Sequence, residues 1–280
     1  MTPDSPRSAA PPSAAHPLLA HTGAQPTRVG AAFPGQRAVF RGRDLHRDLR
    51  DHHWLGLCAL AVLGREVPQA QLDFFESIWV WTSYPDLRLW NNRIAALAGT
   101  TRSTANLGLS AAEAMSEATI FGRGNEYRAM DFLIKVQQRV QAGEPLAEVL
   151  TRFLADGGRL AGYGRPISTV DERMPLTLAK ARELGLDQGP HLALAWAIDD
   201  HFAQQGKPLR LNLGGLVSAF AADFGWSPRE FTMFVFPTFL AGMYPCYLEA
   251  LELPAGARFA MRCDDVAYEG VAPRPWPPAA

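Results

Sequence analysis

Lysine is nearly missing from this chain. Only Lys135, Lys180 and Lys207 stand among 27 basic residues; the other 24 are arginines, whose planar fork suits carboxylate and phosphate, although a GC-rich codon usage explains the skew more simply. An excess charge of either sign is also lacking. The formal net charge is −1, so no global field recruits nucleic acid or an anionic membrane. Cysteine is scarce: Cys58, Cys246 and Cys263 are odd in number and far apart, which fits reduced thiols and a cytoplasmic location and excludes a disulfide framework. G-x-S-x-G and Walker motifs are absent, so serine hydrolase and P-loop readings have no support. Gly162-x-Gly164 lacks the strand-turn-helix setting of a dinucleotide fingerprint.

Long hydrophobic runs are equally wanting. Residues 231–248 carry no charge, which approaches the lower limit for crossing a bilayer, but Thr232, Pro237, Thr238 and Pro245 interrupt them. One buried, kinked core helix over 228–251 is expected, and no transmembrane segment. Residues 1–38 are rich in Pro, Ala, Ser and Gly and poor in large apolar side chains, so a disordered leader without the apolar region of a secretory signal is expected.

What is present is helical periodicity. Leu45, Leu49, His52, Gly56, Leu60 and Leu63 share one face, and the pattern continues over 73–81, 91–101, 110–120, 126–142, 146–155, 174–184, 191–204 and 216–224. Ser110 with Glu113 reads as a capping box at a helix start, and Ser227-Pro228-x-Glu230 as another with proline in the first turn. Alternating strand patterns are almost missing, so the class is mainly α. With 280 residues, one large or two modest domains are expected. His46, Asp48, His52 and His53 have no third ligand at a fixed offset, so a solvated helix face is expected there and no metal site. Asp199-Asp200-His201 reads as a helix end, and Trp79, Trp81, Trp90 and Trp196 as core or interface aromatics.

Several segments share the order and spacing of a known family. Residues 39–45 (VFRGRDL) resemble an R-G-x-x-I segment, and 63–68 (LGREVP) a G-x-L-P helix end. Gly122-Arg123-Gly124-Asn125-Glu126 resembles H-G-G-A-N-E. Residues 162–167 (GYGRPI) and Asp171-Glu172-Arg173 resemble G-F-G-H-P-x and D-P-R. Asn212-Leu213-Gly214-Gly215 and 224–228 (FGWSP) resemble N-V-D-G and L-G-x-x-P. Residues 242–249 (GMYPCYLE) resemble G-W-I-A-H-W-x-E, and Tyr268-Glu269-Gly270 with Arg274 a terminal Y-x-G and arginine. Over residues 39–276 the chain thus resembles the citrate synthase superfamily, and more specifically its short, citryl-CoA-lyase-like members.

The resemblance implies a citrate synthase-like fold, with a large helical domain (39–124 and 225–280) interrupted by a small one (125–224). It implies a homodimer, and a cleft for an acyl-CoA thioester and a small carboxylate, with no permanently bound cofactor. It also implies that the usual catalytic residues are replaced. Phe121 stands at the enol-histidine position, Arg165 at the carbonyl-histidine position, Gly214 at the base and Leu87 at a further ligand histidine. Arg173 holds the place of the carboxylate-gripping arginine, and Arg165 and Arg173 are expected to converge as the substrate-binding, anion-binding end of the cleft. Arg102 or Arg262 supplies a second carboxylate contact on this reading, Asn212 is a further substrate contact, and Gly162 and Gly164 are the cofactor-binding glycines. An acid or base in place is worth about 10²–10⁴ in rate, and such groups fail together, so ordinary citrate synthesis is not expected.

Arginine cannot act as a base at neutral pH, so that role would fall to Glu126, Asp171 or Glu172. Three functions follow: a divergent acyltransferase or lyase making or breaking a C–C bond, a catalytically inactive homologue that binds or regulates, or plain citrate synthase or citryl-CoA lyase activity. The residues argue against the last.

Overall fold

The computed structural model describes residues 27–118, 122–165, 171–272 and 274. Contacts divide the chain into two compact units, Met1–Gly64 and Arg65–Ala280.

The first unit holds an antiparallel sheet, β1 (Gly30–Phe33), β2 (Arg37–Phe40) and β3 (Arg43–Asp44), followed by α1 (Trp54–Leu63). Pro34-Gly35 turns the first hairpin: Gly35 has φ 73° and Gln36 N donates to Phe33 O at 3.0 Å. Arg41 and Gly42 turn the second with φ 49° and 81°, the doubly positive geometry that follows strand twist. Residues 30–38, read from composition as part of a leader, therefore form a hairpin, because turn chemistry organises strands too short for an alternating pattern to register. The helix expected from Leu45 begins only at Trp54. Asp44 Oδ1 accepts hydrogen bonds from His46 N and Arg47 N, while Asp48 Oδ2 accepts from Asp44 N, and such local bonds compete with the helix.

The second unit is helical: α2 (Gln69–Thr82), α3 (Trp90–Thr100), α4 (Ala105–Met115), α5 (Gly124–Gln141), α6 (Leu146–Ala155), α7 (Met174–Glu183), α8 (Pro190–Gln204), α9 (Leu213–Asp223), α10 (Pro228–Phe234) and α11 (Leu240–Glu252). The class is mainly α, as the periodicity requires. Ser227 and Glu230 make the expected reciprocal cap on α10. The Ser110–Glu113 cap is not there: α4 begins after Thr104, whose side chain accepts from Leu107 N, so both residues lie inside the helix. The apolar stretch 228–251 is two helices rather than one. α10 ends at Phe234, Pro237 lies in the break, and Pro245 sits within α11. No described helix is long and apolar enough to cross a membrane.

Two packing modes build this unit. Phe74 and Phe75 on α2 meet Phe220 of α9, Phe234 of α10 and the intervening Phe224 and Trp226, with ring centroids 4.6–6.1 Å apart. Where α3, α4 and α11 meet, small residues set the distance. A Cβ on Gly99 would lie 2.5 Å from Tyr247 O and 2.9 Å from Ala250 Cβ, and Ala95, Ala112 and Ala250 are fully buried. α9, buried along most of its length, packs against α5 and α8. That packing brings the first turns of α5 and α9 side by side.

Candidate functional site

The start of α9 is braced by backbone. Asn212 caps the helix, its Oδ1 accepting from Gly215 N at 3.1 Å while its Nδ2 donates to Gly164 O at 2.8 Å. Gly162 O accepts from Asn212 N at 3.0 Å. Gly162 and Gly164 have φ of 86° and 82°, and a Cβ on Gly162 would lie 2.6 Å from Gly215 Cα, so glycine is required for this close approach. Tyr163, between them, donates to Ala195 O at 3.0 Å. Buried Asp199 accepts from Arg210 Nη2 at 2.6 Å and Leu211 N at 2.6 Å, so Asp199, not Asp200, braces the segment that leads into α9.

Against this frame lies a cluster of charge. Arg173 donates from Nε and Nη2 to the two oxygens of Asp171 at 2.8 and 2.7 Å. Asp171 Oδ2 also accepts from Leu213 N at 3.2 Å, which ties the cluster to α9. Arg165 Nη1 donates to Glu172 Oε2 at 2.6 Å and lies 3.8 Å from Asp171 Oδ1. Tyr84 closes the ring, its hydroxyl donating to Glu172 Oε1 at 3.1 Å and its face lying under the Arg173 guanidinium at 5.8 Å. Burial works to raise the Asp171 pKa, but hydrogen bonds and charge from Arg173, Leu213 N and Arg165 outweigh it and hold the carboxyl below its ordinary value. The Arg165 hydrogen bond is the largest of the effects that bring Glu172 down to about 2. Arg165 and Arg173, expected to converge, do so with internal counter-ions, and Arg173 Nη1 takes no partner among the described residues.

Glu126, in the first turn of α5, is different. Its residue is only partly buried, yet Oε2 is enclosed and has no hydrogen-bond partner among the described residues. Burial raises its pKa to about 7 against the opposing charges of Arg123 and Arg173. Its Cγ lies 3.8 Å from where a Cβ on Gly214 would stand. Ser218 Oγ joins the two helices, within 2.7 Å of Gly214 O and 3.2 Å of Glu126 O. Arg123 is committed elsewhere: it is almost completely buried, pairs with Glu113 Oε1 at 2.9 Å and donates to the carbonyls of Glu113 and Phe236.

Other candidates lie apart from this cluster. Leu87 packs against Ala96, Cys246 and Ala250, so it fills the α3–α11 contact. Arg102 donates to the carbonyls of Gly99, Ala250 and Leu253, an anchor for the end of α11. Arg262 is exposed and pairs with Asp264. Phe121, with Pro166 and Ile167 of the matching loop, lies outside the described residues. Sequence reading missed Tyr84 and the Glu113–Arg123 pair. Both join residues far apart or on different elements, and the spacing of Ser110 and Glu113 pointed to a cap instead.

No protein-family model and no curated protein matches the chain. Solved structures do. Citryl-CoA lyase from Hydrogenobacter thermophilus superposes with a TM-score of 0.77 at 21% identity, over 90% of this chain and 97% of that one. ATP citrate lyase from Methanothrix soehngenii, in complex with citrate and coenzyme A, gives 0.71 at 18% identity, over 97% of this chain and 47% of that one. Citrate synthase from Thermoplasma acidophilum, in a ternary complex with carboxymethyl coenzyme A and oxaloacetate, gives 0.59 at 16% identity, over 81% and 60%. The chain has a citrate synthase-like fold, in the form that citryl-CoA lyase shows.

Proposed function

We propose that this chain binds an acyl-CoA thioester together with a small carboxylate and makes or breaks a C–C bond between them, using groups other than those of citrate synthase. The observation that carries the reading is Arg173. Its guanidinium is oriented by Asp171 on two nitrogens, stacked over Tyr84, and left with Nη1 unpartnered among the described residues near the braced start of α9. A guanidinium fixed in this way offers a charge-assisted hydrogen bond to a carboxylate at little further ordering cost. The fold adds support, since two of the structures it superposes on hold coenzyme A or its carboxymethyl derivative with citrate or oxaloacetate. A small domain over 125–224 and a homodimer belong to the same proposal.

Calorimetry and thermal shift with acetyl-CoA, coenzyme A and small dicarboxylates test it. Saturable stabilisation by a thioester and a dicarboxylate together, lost in Arg173→Leu, is expected; no response to any of them overturns the reading. A second reading, an inactive homologue that binds or regulates, is favoured by the internal pairing of Arg165 with Glu172 and of Arg173 with Asp171. It predicts binding without any bond chemistry.

A further inference from the structure

This inference rests on the reading that the site takes an acyl-CoA thioester and a carboxylate. Gly214 leaves the first turn of α9 without a side chain, and the position its Cβ would take is bordered by Asn212 Oδ1 at 3.3 Å and Glu126 Cγ at 3.8 Å. Three neighbouring carboxylates are engaged: Asp171 by Arg173 and Leu213 N, Glu172 by Arg165 and Tyr84, Glu113 by Arg123. Glu113 Oε2 is also enclosed without a hydrogen bond, but its Oε1 pairs with Arg123; of the four, only Glu126 has no hydrogen bond or ion pair on either carboxylate oxygen among the described residues. An unpaired buried carboxylate costs stability, and sites that transfer protons are where such groups are retained.

We propose that Glu126 is the proton-transferring carboxylate of this site, serving from the first turn of α5 beside Gly214 in the first turn of α9. In the forward step the carboxylate takes a proton from the α-carbon of the bound thioester. The C–H electron pair becomes the carbon-carbon double bond of the thioester enolate, the carbonyl π pair moves onto oxygen, and the proton resides on Glu126. Reversal returns it. Arg123 from the start of α5 and Arg173 from the start of α7 face Glu126 with positive charge; α9 presents the neutral Ser218 and Asn212, and Asp171 is neutralised by its arginines. A pKa of about 7 suits the role, because both protonation states are then populated at neutral pH.

Exchange at the thioester α-carbon tests this on the full chain. Acetyl-CoA is incubated in deuterium oxide with malate present, deuterium uptake is followed by mass spectrometry, and acetyl-CoA binding is measured separately by calorimetry. Wild type is expected to exchange with a rate that rises through pH 7 and levels above it. Glu126→Gln is expected to bind acetyl-CoA within about threefold of wild type but lose roughly 10²-fold or more in exchange, and Glu126→Asp to recover part of it. Exchange unchanged in Glu126→Gln overturns the inference, as does binding by wild type without exchange, which leaves the binding reading standing. Should Glu126→Gln fail to fold, the wild-type pH profile decides, and a flat profile between pH 5 and 9 overturns the assignment. Failure of wild type to bind acetyl-CoA overturns the reading of the site itself, and this inference with it.

Discussion

The contact of α3, α4 and α11 and the contact of α5 with α9 solve one packing problem in opposite ways. In the first, glycine and alanine bring helices together until nothing else fits, and polar atoms such as the Arg102 guanidinium are spent on carbonyls. In the second, glycines at 162, 214 and 215 also allow close approach, but a carboxylate is left enclosed and unpaired beside them. Small residues therefore mark tight packing in both places. Only the unpaired charge separates a contact kept for stability from one kept at some cost to it.

Gly99→Val attacks the first region directly. Its Cβ would overlap Tyr247 O and Ala250 Cβ, so a loss of about 3 kcal/mol or more is expected, read as a lower urea midpoint at unchanged slope. Asp171→Asn attacks the second, because it strips the counter-ion from Arg173 and weakens the hold on Leu213 N. Breaking a buried pair costs about 3–5 kcal/mol, and the arginines here still reach water, so about 3 kcal/mol is expected. The folded pKa of Asp171 is depressed, so its contribution is present above the unfolded value near 4 and lost as pH falls through the folded value. Acid denaturation monitored by circular dichroism should therefore begin at higher pH in the variant.

Glu126→Gln sharpens the contrast by running the other way. A carboxyl whose folded pKa is raised binds more protons folded than unfolded, so stability falls as pH climbs from about 4 to about 7 and stays lower above. Removing the charge should stabilise the protein by about 3 kcal/mol at pH 8 and by almost nothing at pH 4. Equal effects at both pH values would mean that Glu126 is solvated. Arg173→Leu is expected to have the smallest effect on the fold, about 2 kcal/mol, since the buried Asp171 it leaves behind keeps Leu213 N and Arg165 nearby. It should nonetheless abolish the thermal shift given by dicarboxylates. A much larger loss of stability without ligand would make Arg173 a structural ion-pair residue.

The amino-acid order alone determined the helical class, the cap at Ser227 and the neighbourhood of Arg165, Asp171, Glu172 and Arg173, because periodicity, capping and short-range charge are local properties of a chain. It could not place the hairpins at Pro34-Gly35 and Arg41-Gly42, whose strands are too short to alternate, nor the break at Pro237, where proline is compatible with either a kink or an end. It brought Glu126, Asp171 and Glu172 forward as equals. The tertiary structure separated them: Asp171 and Glu172 find arginines that hold them ionised, while the α5–α9 contact leaves the enclosed Oε2 of Glu126 with no hydrogen bond among the described residues. Solvation and pairing depend on which helix ends meet, and residues 126, 173 and 214 meet only after the chain has folded.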